Sequence, residues 1–229
     1  MTIRKFLHSC ILVEENGKKL LIDPGAFCFI EREITPEDIG PVDVVLITHA
    51  HPDHYYPDAL KRIFALKPYA LLTNQEIGAM LPAEGLVGEV IDAGDIRQIE
   101  GFEIKAFVAE HGPIPGKIPQ NLAYLVNGKV LHPGDSLAVS ENPQYEVLAL
   151  PITAPWLRLV DALEFARQSF AKQNVGEFAR RSGAKKVIPI HDAIMKDFMR
   201  ERIYEMVSSF LRENGIEFAA LSLGQTIEI

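Results

Sequence analysis

Residues 42–48, VDVVLIT, form an almost continuous run of β-branched and aliphatic side chains. Such a run predicts a strand buried on both faces. It leads straight into HAHPDH (49–54), which places three of the chain's seven histidines and an aspartate within six positions. The rest of the chain must therefore cover the strand on both sides while leaving its carboxyl end open. That end is where ligands and catalytic groups of α/β sheets gather.

The remaining sequence supplies the cover. IRKFLH, CILVEE and KKLLIDP are rich in strand formers, and Asn16-Gly17 marks a tight hairpin between the last two. Pro57 opens a predicted helix, PDALKRIFAL. ALLTN follows as a buried strand and EIGAML as a short helix. Residues 88–109 (GEVIDA, DIRQIE, FEIKAFVA) predict a meander punctuated by Gly94 and Gly101. NLAYLV, Asn127-Gly128 and KVLH repeat the hairpin signal, and EVLALP and KKVIPIH predict further buried strands. Helical periodicity spans about 159–182, through Leu159, Leu163, Ala166, Phe170, Val175, Phe178 and Ala179. FMRERIYEMVSSFLREN is the longest amphipathic helix, stopped at Gly215, and IEFAALSL and TIEI close the chain as strands. Each half thus runs from a meander into an α/β stretch, with no linker or low-complexity segment between. The economical architecture is α/β, two sheets covered outside by helices, in a single domain over 1–229.

The cluster has a geometry of its own. Pro52 biases His51 to extended backbone, and an i, i+2 pair in extended chain points to one side. His49 and His51 can then share one metal ion, while Asp53 and His54 diverge toward a second. Imidazole with carboxylate suits zinc, iron or manganese rather than calcium. Two ions need more donors, and three other predicted strand ends carry them: His111, Asp135 in LHPGDS, and His191 in VIPIHD. A lone histidine after a strand is ordinarily hydrogen-bonded or exposed; HxHxDH is much harder to explain in that way.

HAHPDH resembles the HxHxDH signature of the metallo-β-lactamase fold superfamily. Asp23 in LLIDP, the cluster, His111, Asp135 in PGDS and His191 in PIHD follow the order of that superfamily's motifs, over essentially the whole chain. The resemblance implies a four-layer αββα sandwich of two similar halves. It implies two divalent ions, zinc first and manganese or iron as alternatives. His49, His51 and His111 would hold one ion, Asp53, His54 and His191 the other, with Asp135 bridging and Asp23 orienting ligands from behind. FLHSCILVE, the KKLLIDP hairpin and LHPGDS look like the branch of L-ascorbate-6-phosphate lactonase and its relatives. Ser136 stands where those relatives often carry threonine, and TAPWLRLVDALEFARQ departs from their Gly-rich loop.

Two such ions imply hydrolysis by a shared hydroxide, the pKa of water falling from about 15.7 towards ~7. Asp53 both ligates and handles the proton. No GxSxG nucleophile is present. His8 is a candidate general acid or substrate contact. Tyr55, Lys117, Trp156 and Arg158 are candidate substrate contacts, although packing is the ordinary role of the aromatic pair and surface charge that of the basic pair. His132 supports the Asp135 loop.

The substrate expected is a small ester or lactone, with an anionic group as an option. A phosphodiesterase or nuclease of the same fold, and a metal-stabilised binding protein without catalysis, are the alternatives. The net charge of −8 argues against a nucleic-acid partner. Cys10 and Cys28, with no CxxC, read as reduced thiols. No cleavable leader and no apolar run near ~20 residues is present, so the expectation is a cytoplasmic protein away from membranes, acting on a small molecule and open to self-assembly.

Overall fold

The computed structural model describes residues 1–29, 34–171 and 185–229. Two sheets account for its strands, numbered here in chain order. The first holds β1 (Thr2–Lys5), β2 (Ile11–Glu15), β3 (Lys18–Ile22), β4 (Val44–Ile47), β5 (Ala70–Thr73) and β6 (Glu89–Val90). The second holds β7 (Ile96–Ile99), β8 (Phe102–Val108), β9 (Leu122–Val126), β10 (Val130–His132), β11 (Val147–Pro151), β12 (Lys186–Ile190) and β13 (Glu217–Phe218). The chain's last strand, β14 (Thr226–Glu228), returns to pair with β1.

The two sheets repeat one plan. In the first, β1, β2 and β3 are antiparallel neighbours, and β3 to β6 then run parallel. In the second, β7 to β10 are antiparallel and β10 to β13 parallel. The antiparallel steps use tight turns. Asn16 and Gly17 both have positive φ (52° and 75°), as do Asn127 and Gly128 (50° and 63°), a conformation Asn-Gly adopts at low cost.

Alternation along the strands sorts side chains into layers. Val44 and Leu46 of β4 point into a core shared between the sheets, where they meet Ile104, Tyr124, Val147 and Ile188. Val45 and Ile47 point the other way, under the helices α1 (Pro36–Ile39), α2 (Pro57–Leu66) and α3 (Gln75–Met80). The second sheet turns Leu148, Leu150 and Val187 outward against α4 (Leu159–Ala171) and α5 (Asp197–Glu213). The result is helices, sheet, sheet, helices: the αββα sandwich expected from the sequence.

The structure corrects several boundaries. The 88–109 meander is split between the sheets. β6 pairs with β5, and the chain then crosses over, turning at Gly94, whose N–H donates to Ala106 O. IRKFLH is a strand only to Lys5, because Phe6 N–H donates to Cys10 O and folds His8 into a turn at φ 59°. IEFAALSL keeps only the two residues of β13. The periodicity over 159–182 appears as α4, and Val175, Phe178 and Ala179 lie outside the described residues. Cys10 and Cys28 are free and buried. Among the described residues no helix is long and apolar enough to cross a membrane.

Candidate metal centre

Every candidate donor lies just beyond a strand end. His49–His54 follow β4, His111 follows β8, Asp135 follows β10 and His191 follows β12. His8 stands in the turn after β1. The topology therefore brings residues as far apart as His54 and His191 to one edge of the sandwich. Non-glycine residues with left-handed backbone recur here: His8, Asp23 and His191 have φ of 59°, 50° and 65°. Strained backbone of this kind concentrates at functional sites.

The donors form two groups, each with its ligand atoms within 4.8 Å of one another: His49, His51, His111 and Asp135, and His8, Asp53, His54 and His191. In the first group His51 Nδ1 is 3.1 Å from His49 Nε2 and 3.2 Å from His111 Nε2. In the second, His54 Nε2 is 2.9 Å from His191 Nε2. Asp135 spans both. Its Oδ2 is 3.4 Å from His111 Nε2, and its Oδ1 is 2.5 Å from His191 Nε2 and 3.0 Å from His54 Nε2.

The groups behind the imidazoles decide which nitrogen faces inward. Asp23 is wholly buried, and its Oδ1 accepts the Thr48 N–H (2.8 Å). Its Oδ2 accepts the Thr48 hydroxyl (2.6 Å) and the His54 Nδ1–H (2.6 Å). Because the Thr48 hydroxyl proton goes to Asp23, its oxygen accepts from His49 Nδ1 (3.1 Å). His111 Nδ1 donates to Gly112 O (2.7 Å). His49, His54 and His111 are thereby held as the tautomer whose Nε2 lone pair points into the cluster.

Converging lone pairs repel unless a cation lies among them. A tetrahedral zinc site with Zn–N of about 2.0–2.1 Å has nitrogen–nitrogen edges of about 3.3 Å, close to the spacings of the first group. Asp135 Oδ1 is buried and makes no hydrogen bond among the described residues. The residues therefore fit divalent metal.

Electrostatics agree. Burial, and then the charge of His54, hold His49 well below its ordinary value, so it is neutral, the form a metal takes. Burial pushes Asp135 up, but His191 and His54 outweigh it and keep it a carboxylate. Burial likewise opposes charge on His54, yet Asp135 and Asp23 pull it well above the usual imidazole range. The carboxylates around His54 call for positive charge at that point. Burial raises Asp53, but the hydrogen bond with His8 and neighbouring histidines win and leave it well below the carboxylate range.

Other expected residues fall in different places. His8 is 1% exposed, and its Nε2 donates to Asp53 Oδ2 at 2.9 Å. Burial, only partly opposed by Asp53, lowers its pKa to about 4. His132 donates to Ser9 O (3.0 Å) and accepts from Gly134 N–H (3.2 Å), so it holds the turn ahead of Asp135. Trp156 donates from Nε1 to Asp135 Oδ2 at 3.3 Å. Tyr55 is not brought to the donors: it packs in the apolar layer outside the first sheet. Lys117 is 82% exposed and paired with Glu76, and exposed Arg158 is paired with Asp161. Sequence reasoning missed Thr48, Ser9, whose hydroxyl is 3.2 Å from His54 Nε2, and Asn121. The Asn121 amide donates to Ala109 O and Pro133 O, and its Oδ1 accepts the Asp135 N–H. Their one signal is position, small polar residues beside predicted strand ends.

Comparison with known proteins agrees with this geometry. The family described as Beta-lactamase superfamily domain matches residues 2–191. Protein Rv0786c of Mycobacterium tuberculosis is 30% identical over 203 residues, covering 85% of each chain. The UPF0173 metal-dependent hydrolase of Geobacillus thermodenitrificans is 26% identical over 202 residues, covering 80% of this chain and 82% of that protein. Among solved structures, Igni18, a metallo hydrolase from Ignicoccus hospitalis, superposes with a TM-score of 0.71 at 23% identity, covering 99% of this chain and 98% of that one, a likeness of fold. The chain belongs to the beta-lactamase superfamily and is a metal-dependent hydrolase of the metallo-β-lactamase fold.

Proposed function

We propose that the chain cleaves a small carboxylic ester or lactone, with two divalent ions held by the two donor groups. Zinc matches their imidazole and carboxylate chemistry best, with manganese or iron as alternatives. The observation that carries this reading is Asp135, which directs one carboxylate oxygen to each group. Bound ions supply Lewis acidity, acidifying water and polarising the oxygen under attack.

The protein's part is placement and proton handling. Asp53 is ionised, and its side chain is 19% exposed, so it can meet water and accept a proton. His8 spends its Nε2–H on Asp53 and is itself buried, which supports an orienting role rather than that of a general acid facing substrate. The substrate class is supported by charge. Among the described residues no lysine or arginine forms an ion pair with Asp53 or Asp135, and Lys117 and Arg158 are already paired with carboxylates. An anionic substrate would thus find no positive charge beyond the ions themselves, which weighs toward an uncharged ester. Localisation in the cytoplasm, a single domain over the whole chain and self-assembly belong to the same proposal.

The test is a hydrolysis panel. Protein loaded with zinc or manganese is offered lactones and carboxylic esters beside phosphodiesters, with Asp53→Ala as the blank. Ester or lactone turnover that vanishes in the variant is the expected result. Turnover of phosphodiesters alone overturns the substrate class.

A further inference from the structure

We infer that Trp156 is a positioning residue for the shared carboxylate: its indole N–H fixes the Asp135 oxygen that faces the first donor group. The inference rests on the proposed metal-loaded centre and adds to it a residue outside the histidine and aspartate motifs.

Three contacts converge on the indole. Its Nε1 donates to Asp135 Oδ2 at 3.3 Å, the same oxygen that lies 3.4 Å from His111 Nε2. Its ring stands 5.9 Å from the His111 ring, centroid to centroid. Its benzo ring lies against Gly112, where an added Cβ would come within 2.1 Å of it. The Gly112 N–H in turn donates to Asp135 O at 2.8 Å. Asp135, His111–Gly112 and Trp156 thus close on one another from three separate loops, and only glycine at 112 leaves room for the indole.

The two Asp135 oxygens are therefore not equivalent. Oδ1 faces the His54 and His191 nitrogens and makes no hydrogen bond among the described residues, whereas Oδ2 shares its lone pairs between the first group and the indole. A donor on a ligating carboxylate fixes its rotation and moderates its charge, and losing such a partner typically costs about 10–100-fold in metal affinity or activity. Phenylalanine keeps the ring's apolar bulk and loses the N–H.

Wild-type and Trp156→Phe protein are titrated with cobalt(II) alone, following bound metal by equilibrium dialysis and the visible absorption of the bound cobalt. The expected result is an affinity about tenfold weaker and an altered cobalt spectrum in the variant, with kcat lowered about tenfold and KM nearly unchanged for any ester that turns over. Wild-type affinity and an unchanged spectrum in Trp156→Phe overturn the proposal, since an indole that only packs would leave the metal environment alone. A second measurement needs no variant. Trp156 is the chain's one tryptophan, so all indole emission comes from it. Cobalt binding should quench that emission, and constant emission while cobalt binds overturns the proposal. Cobalt binding and quenching without turnover of any ester or lactone overturn the functional reading and leave the Trp156 assignment standing.

Discussion

Asp23 Oδ2 and His54 Nδ1 meet at 2.6 Å with both side chains wholly removed from solvent. The contact sets the tautomer of His54 and the direction of its Nε2. Asparagine at 23 preserves the shape and tolerates the left-handed backbone (φ 50°). Its neutral amide, however, is a poorer acceptor for both Thr48 and His54. Asp23→Asn is therefore expected to fold and to bind metal about 10–100-fold more weakly, read by competition with a chelator. Unchanged affinity would show that Asp23 does not set the ligand geometry.

Gly25 lies under the peptide that joins Asp53 to His54. A Cβ there would stand 1.9 Å from Asp53 O, so alanine must push that peptide aside. Gly25→Ala should lower stability by about 1–3 kcal/mol. It should cost activity by about 10²-fold, because a displacement near 1 Å at a reacting group has that effect. Urea denaturation and turnover, measured on one preparation, check both figures.

Lys5 and Asp192 form a buried ion pair at 2.7 Å, 2% and 4% exposed, and Asp192 also accepts the Tyr204 hydroxyl. Lys5→Met should destabilise by about 3–5 kcal/mol, because it strands a buried carboxylate. Adding Asp192→Asn should recover part of that loss. A double variant as unstable as the sum of the singles would contradict the coupling.

Asp43 supplies a pH dependence away from the centre. Burial pushes its carboxyl up, but Lys67, the Lys19 N–H and Lys18 outweigh burial and hold its pKa at about 2. A folded-state pKa below the ordinary 3.8 means that the contribution is full above that value and disappears as pH falls through about 2. The two lysines are nearly half exposed, which limits the effect to about 1–2 kcal/mol. Asp43→Asn should be less stable by that amount at pH 7, and the gap should narrow as pH falls below 3.8 and close below pH 2. A gap constant with pH would refute the assignment.

What the sequence revealed, and what it hid, follows from separation along the chain. HAHPDH declares itself because its spacing is local. Asn16-Gly17 and Asn127-Gly128 mark their turns because the φ requirement is local too. Val44 to Ile47 read as doubly covered, and they are buried on both faces. The crossing of the chain between β6 and β7 was hidden, since a short strand carries no label for the sheet it joins. Thr48 and Asn121 act by hydrogen bonds to partners about 12–25 residues away, which no local pattern records. Tyr55 stands next to His54 and yet faces the opposite layer. Lys117 finds Glu76, a carboxylate that only the folded chain brings near, whereas Arg158 pairs with Asp161 only three residues on.

Two donor groups joined by Asp135 are proposed to hold two ions. The most direct measurement is metal stoichiometry after zinc loading and removal of loose ions, on wild type, His51→Ala and His54→Ala. Two zinc ions per chain are expected in wild type and one in each variant, a site being lost with its histidine. Fewer than two ions in wild type, or two retained in both variants, would contradict the proposal.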